Sequence, residues 1–266
     1  MSSTHELKRS TMLVLRILSS LFWVFMVISS IVLFPVALFI WAATMLVDRR
    51  LVILHRFTCF WASLYTWLNP AWRVHIEGRD KIAAGTAYVM VANHQSLLDI
   101  LVLFRLFTHF KWVSKIENFR VPCVGWNMSL NRYIKLRRGD RESVEQMMRA
   151  CEQALADGSS IMMFPEGTRS ADGRLKAFKP GAFTLAQRMQ APILPIIVEG
   201  TAAALPKRGF VLRGQHAIRI RVLDAIPYAR FAGDSVESLT ARVRDVFVTE
   251  LEPGHPEQAT RAAHGG

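Results

Sequence analysis

Acidic residues and cysteines are the scarce components of this 266-residue chain. Asp and Glu number 21 against 33 Lys and Arg, which gives a formal charge of +12. Three cysteines, Cys59, Cys123 and Cys151, stand far apart with no C-x-x-C spacing. An odd, scattered set excludes a disulfide framework and a Cys/His zinc site, and it fits a reducing compartment. Also missing are a G-x-S-x-G elbow, a Walker A sequence, an H-E-x-x-H pair and a G-x-G-x-x-G loop. The commonest hydrolase, nucleotidase, zinc-peptidase and dinucleotide-binding readings therefore fall away. With 51% hydrophobic and 20% charged residues, the chain is too apolar to be disordered over most of its length.

Charge disappears altogether between Arg16 and Asp48. As a helix, the run 17–47 would extend about 46 Å, against a hydrocarbon core of ~30 Å. It exceeds a signal-peptide core, and a domain of this size has no room to bury such a helix, so a membrane-anchoring segment over 1–70 is expected. Lys8, Arg9 and Arg16 precede the run and Arg49, Arg50 and Arg56 follow it, a symmetry that gives no orientation. A second stretch, 57–68, carries Trp61, Tyr65 and Trp67, side chains suited to the headgroup boundary. One tilted span and a helical hairpin in a single leaflet both remain open. The hairpin accounts for the symmetric charge and the aromatics and is preferred.

From Trp72 the texture changes to short apolar runs alternating with periodic segments. Strands are expected at 74–76, 87–92, 112–114, 160–164, 193–198 and 217–223, and helices at 97–107, 142–156, 182–189 and 235–251. That alternation predicts an α/β domain over 71–251, with a largely parallel or mixed sheet flanked by helices. The remainder, 252–266, lacks large apolar side chains and is expected to be a disordered tail.

Chemistry in such sheets collects where strands give way to helices. Asn93-His94-Gln95-Ser96-Leu97-Leu98-Asp99 stands at such a junction. A histidine there, with an Asp in the first helical turn, offers one ring nitrogen to a substrate while the carboxylate holds the other, which is how a general base is built. Ser96-x-x-Asp99 is also a capping box, so helix initiation is the plain alternative. The second junction is Phe164-Pro165-Glu166-Gly167-Thr168-Arg169-Ser170. Pro and Gly make the turn tight, and Gly167, Thr168 and Arg169 offer an N–H, a hydroxyl and a guanidinium to a phosphate. A structural turn with a Glu166–Arg169 ion pair is the alternative. Arg132, Lys135, Arg137, Arg138 and Arg141 form a basic run, with Lys115 and Lys179 on either side. Such a cluster suits anionic headgroups, although each residue alone reads as a solvated charge. Pro195, inside an apolar run, marks an edge strand or a site wall.

The order of these pieces resembles the glycerolipid acyltransferase family, in particular the 1-acyl-sn-glycerol-3-phosphate acyltransferases, over roughly 72–223. The first and third motifs match fully. The second keeps Arg137 but lacks the Gly and Asp the family usually carries. The resemblance implies transfer of an acyl group from acyl-CoA or acyl-carrier protein to lysophosphatidic acid, giving phosphatidic acid. His94 would be the base and Asp99 its orienting partner. Glu166, Gly167, Thr168, Arg169, Arg137 and Lys115 would serve the phosphorylated substrates, and Pro195 would shape the donor side. No metal or resident cofactor is implied. Membrane lipids are the expected surroundings, with the catalytic domain on the cytoplasmic face of the inner or cytoplasmic membrane. Another lysolipid or glycerol 3-phosphate is the alternative acceptor. The rival outside enzymology is an anchored protein that binds anionic lipid or nucleic acid. A nucleic-acid partner is not expected, since no stacking motif or helix-turn-helix pattern is visible.

Overall fold

The computed structural model describes residues 2–170, 174–207 and 210–252, with side chains from residue 12 onward. The tail expected from residue 252 lies, beyond Glu252 itself, outside the described residues. Strands β1 (Trp72–Glu77), β2 (Val89–Ala92), β3 (Phe110–Lys115), β4 (Ile134–Leu136), β5 (Ser160–Met163), β6 (Ile193–Glu199) and β7 (His216–Val222) form one sheet. Their order is β1-β7-β6-β2-β5-β3-β4. Every neighbouring pair is parallel except β6 and β7. The sheet is thus mixed, as the alternating elements predicted.

Helices follow in the order α1 (Ser2–Thr44), α2 (Val52–Trp67), α3 (Leu98–Leu103), α4 (Val124–Leu130), α5 (Arg141–Ala156), α6 (Gly181–Arg188), α7 (Thr201–Ala204) and α8 (Val236–Leu251). Side chains of the central strands alternate between two cores. Met90, Met162, Leu194 and Ile196 pack with α2 and α3 on one face. Val89, Val91, Ile161 and Ile197 pack with α5, α6 and α8 on the other. Burial on both faces is why β2, β5 and β6 read as unbroken apolar runs.

All six expected strands and all four expected helices are present, with ends moved by a few residues. Missing from the expectation were β4, which is three residues long and hidden in the basic run, and the short helices α4 and α7. The expectation for Pro195 needs correction. It is buried in β6, an interior strand between β2 and β7, and not at an edge. The sheet tolerates it because its carbonyl still accepts from Leu223 N–H at 3.0 Å. Its absent N–H falls in an interruption of the antiparallel pairing, between the isolated Ile193–Ile226 bridge and the β6–β7 ladder that starts at Ile196.

In the N-terminal segment α1 and α2 fold back on one another. Residues 12–44 of α1 are long and apolar enough to cross a membrane, about 50 Å of helix. The outward face, including Leu21, Val27, Ile31, Val32 and Phe39, is exposed. The inward face packs on α2 through Leu33, Phe34 and Ala37 against Leu54, Trp61 and Tyr65. The Tyr65 hydroxyl lies 3.0 Å from Ser29 Oγ and 2.6 Å from the Trp61 Nε1 that donates to it. Midway along its length, α1 is tied to the domain by Trp23 Nε1 donating to the Phe210 carbonyl and by Leu212 N–H donating to Ser19 Oγ. The turn after α1 is tied by Arg50 to the Gly158 carbonyl, and by Lys111 Nζ to the Arg50 carbonyl at 2.7 Å.

Beneath that turn lies a buried polar junction. His55 Nε2 meets the Thr108 carbonyl at 2.9 Å and must therefore donate, so Nδ1 accepts from the Tyr133 hydroxyl at 2.8 Å. Burial, reinforced by His109 and Lys111, holds His55 well below the usual histidine range. Burial and the Lys111 charge bring His109 down to about 3. Both imidazoles are neutral when folded and take up protons more readily when unfolded. Their contribution is therefore intact above an unfolded value of ~6.5 and is lost as pH falls from there toward the folded values. The thermal unfolding midpoint is expected to drop between about pH 6.5 and 4, and His109→Gln should make that drop shallower. A variant whose midpoint follows the wild-type pH curve would count against this account.

Candidate active site

β2 ends at Ala92, and the next side chain explains how the chain leaves the sheet without breaking it. Asn93 is buried and pairs with the backbone of Val198 in both directions: its Nδ2 donates to the carbonyl at 2.8 Å, and its Oδ1 accepts from the N–H at 2.7 Å. The amide takes the place of a strand residue beside β6, and His94 is released at the strand's end.

Asp99 follows in the first turn of α3 with no solvent exposure. Its Oδ2 accepts from His94 Nδ1 at 2.8 Å, Gln95 N–H at 2.6 Å and Ser96 N–H at 2.8 Å. Ser96 Oγ accepts in turn from Leu98 N–H at 3.2 Å. The capping box and the His–Asp pair are the same structure, so the two readings of this motif do not compete. The imidazole stacks on Phe164 with centroids 3.9 Å apart and planes 10° apart. Nδ1 is committed to the carboxylate as donor, which leaves the Nε2 lone pair as the basic atom of a ring that lines a cavity.

The second motif is bound directly to the first. Glu166 is buried; its Oε1 accepts from His94 N–H at 2.7 Å and its Oε2 from Lys176 N–H at 3.0 Å. Ser170 N–H donates to the His94 carbonyl at 2.8 Å. Burial raises the Glu166 carboxyl above its ordinary range, and the two N–H groups oppose that rise. Glu166, expected as a ligand for the acceptor, uses one lone pair of each oxygen to fix the backbone at His94 and Lys176. Gly167 is favoured by its φ of +68°. Thr168 is exposed, and Arg169 is half-buried with its carbonyl accepting from Lys176 and Lys207.

The cavity, about 1130 Å³, lies across the carboxyl ends of β2, β5, β3 and β4. Under the hairpin its walls are apolar, with Phe22, Met26, Trp61, Leu98, Leu101 and Met128. Toward α5 and α6 it is predominantly basic, with Arg138, Arg149, Lys179 and Arg188 beside a single carboxylate, Glu145. None of the three cysteines lines it. Three expected cations stand outside this lining. Lys115 pairs with Glu117 at 3.2 Å, and Arg137 is exposed beside Asp140 at 3.5 Å. Arg169 follows two residues after Gly167, which does line the cavity. Arg138, the neighbour of Arg137, is a wall residue in its place, whereas Pro195 is not. Motif reading also passed over Asn93 and Phe164 as structural partners of His94, although both stand beside motif residues in the sequence.

Residues 73–199 match the family model described as Acyltransferase. A 1-acyl-sn-glycerol-3-phosphate acyltransferase of Chlamydomonas reinhardtii is 35% identical over 206 residues, which cover 76% of this chain and 60% of that one. A chloroplastic protein of the same name from Arabidopsis thaliana is 40% identical over 153 residues, covering 57% and 42%. This chain therefore spans about half the length of these relatives. The crystal structure of PlsC, the 1-acyl-sn-glycerophosphate acyltransferase of Thermotoga maritima, aligns with a TM-score of 0.71 at 23% identity, over 88% of this chain and 94% of that one. The likeness shows the fold.

Glu166→Gln would turn an amide donor toward one of the two backbone N–H groups. It is expected to cost about 1–3 kcal/mol of stability, seen as a lower unfolding midpoint, whereas Arg169→Ala should leave the midpoint unchanged. Equal midpoints for the two variants would argue against a bracing role for Glu166.

Proposed function

Because residues 73–199 belong to the Acyltransferase family, we propose that this chain transfers a fatty acyl group from a thioester to the sn-2 hydroxyl of lysophosphatidic acid, giving phosphatidic acid. The observation that carries the reading is the His94–Asp99 pair on a cavity that is apolar on one side and basic on the other. Both substrates of such a reaction combine an apolar chain with phosphate. The acyl chain belongs against Phe22, Met26 and Leu101, and the phosphates belong toward Arg138 and Lys179, with Arg169 just past Gly167.

His94 Nε2 takes the proton of the acceptor hydroxyl as its oxygen attacks the thioester carbonyl. Asp99 stabilises the imidazolium that forms. Collapse of the tetrahedral intermediate expels the thiolate, which recovers the proton from His94. One ester bond forms, one thioester bond breaks, and no acyl-enzyme is needed. Base assistance supplies typically 10²- to 10⁴-fold, and alignment of two reactants as much as ~7–11 kcal/mol. The donor is acyl-CoA or acyl-carrier protein, and the chemistry calls for no metal or resident cofactor.

The hairpin is the anchor. Its outward apolar face enters one leaflet while its inward face stays on the domain, which holds α1 at its middle and at the turn that follows it. The expected flanking cations Arg49, Arg50 and Arg56 then lie at the headgroups of the same, cytoplasmic, surface. The altered second motif and the outward position of Arg137 favour a second reading of the acceptor, in which another lysolipid or glycerol 3-phosphate replaces lysophosphatidic acid.

Membranes carrying the chain should form phosphatidic acid from lysophosphatidic acid and labelled acyl-CoA or acyl-carrier protein. His94→Ala is expected to lower kcat by at least ~10³-fold without loss of membrane attachment. A near-normal rate in that variant would sink the mechanism. Arg138→Ala and Arg169→Ala should each raise the KM for the phosphorylated acceptor about 10-fold, the size of one charge-assisted contact. An acceptor panel in which only another lysolipid is consumed would replace the substrate and keep the reaction.

A further inference from the structure

The His94–Asp99 pair has a further member, two residues beyond the segment that matches the family model. Thr201, the first residue of α7, has no solvent exposure, and its hydroxyl lies 2.5 Å from Asp99 Oδ1. An ionised carboxylate only accepts, so Thr201 donates. Three donors already share Oδ2, and Thr201 serves the other oxygen. Its placement is forced. Gly200 sits at φ +83°, where a Cβ would come within 2.1 Å of the Ala217 carbonyl oxygen, so the chain leaves β6 in a conformation that sets Thr201 on Asp99. The far end of the same short helix is fastened to the same turn, because Ser96 Oγ donates to the Leu205 carbonyl at 2.6 Å.

We propose that Thr201 is a positioning residue for the reaction: it fixes the plane of the Asp99 carboxylate so that Oδ2 stays in line with His94 Nδ1. It touches no substrate and does not line the cavity. Without the hydroxyl, Oδ1 is a buried acceptor with a lost partner, and the tilt of the carboxylate is set by the three Oδ2 donors alone. The inference rests on His94 acting as the base.

The test uses the full chain in vesicles, with oleoyl-lysophosphatidic acid and palmitoyl-CoA. Thr201→Val is expected to lower kcat about 10-fold while KM stays within about 2-fold, and Thr201→Ser to return kcat to within about 3-fold of wild type. On an Asp99→Ala background, Thr201→Val should cost less than about 2-fold more, because its effect passes through the absent carboxylate. Thr201→Ala serves if the Val side chain prevents folding. An unchanged kcat, a Ser variant as slow as Val, or an undiminished loss on the Asp99→Ala background would each overturn the inference. His94→Ala in the same assay separates the failures, since activity retained there overturns the general-base reading itself.

Discussion

A carboxylate taken wholly out of water must find its hydrogen bonds inside the protein, and Asp99 is that constraint here. Its donors come from its own turn, from His94 and from the far end of β6, 102 residues away in sequence. They meet because β6 lies beside β2, with Val91 opposite Pro195 and Ala92 opposite Ile196. Asn93 allows β2 to stop while β6 continues, and the bend at Gly200 returns the chain to α3. The strand order thus serves one side chain, and through it the orientation of an imidazole.

Glu166 applies the same physics to the backbone. Each of its oxygens accepts from one N–H, so one buried group joins the turn at His94 to the loop at Lys176. Among the cavity-wall residues themselves, four cations, Arg138, Arg149, Lys179 and Arg188, face a single carboxylate, Glu145. Arg138 and Lys179 leave the cavity's polar side positive, and the overall charge of +12 has the same sign. An anion approaching the cavity would meet a predominance of positive charge.

Much of this was legible in the sequence, and the exceptions have physical causes. The strands showed because burial on two faces leaves unbroken apolar runs, and His94 and Asp99 showed because one helical turn brings them together. β4 did not show, since three residues are too few to establish a period. Pro195 misled, because its cost depends on whether a neighbour needs its N–H, which is a matter of register. Arg137 and Arg138 were indistinguishable as members of a basic run, yet adjacent residues point in different directions and only Arg138 reaches the cavity. Thr201 was silent because its contact spans the fold.

The two N-terminal helices are also part of the cavity. Phe22, Trp23 and Met26 of α1, with Trp61 and Tyr65 of α2, are walls of the same cavity that His94 lines. On the proposed function, anchor and enzyme are consequently not interchangeable parts. A shortened chain made for convenience in water would lose one side of its own reaction chamber, and a foreign anchor grafted in its place would restore the address but not the room.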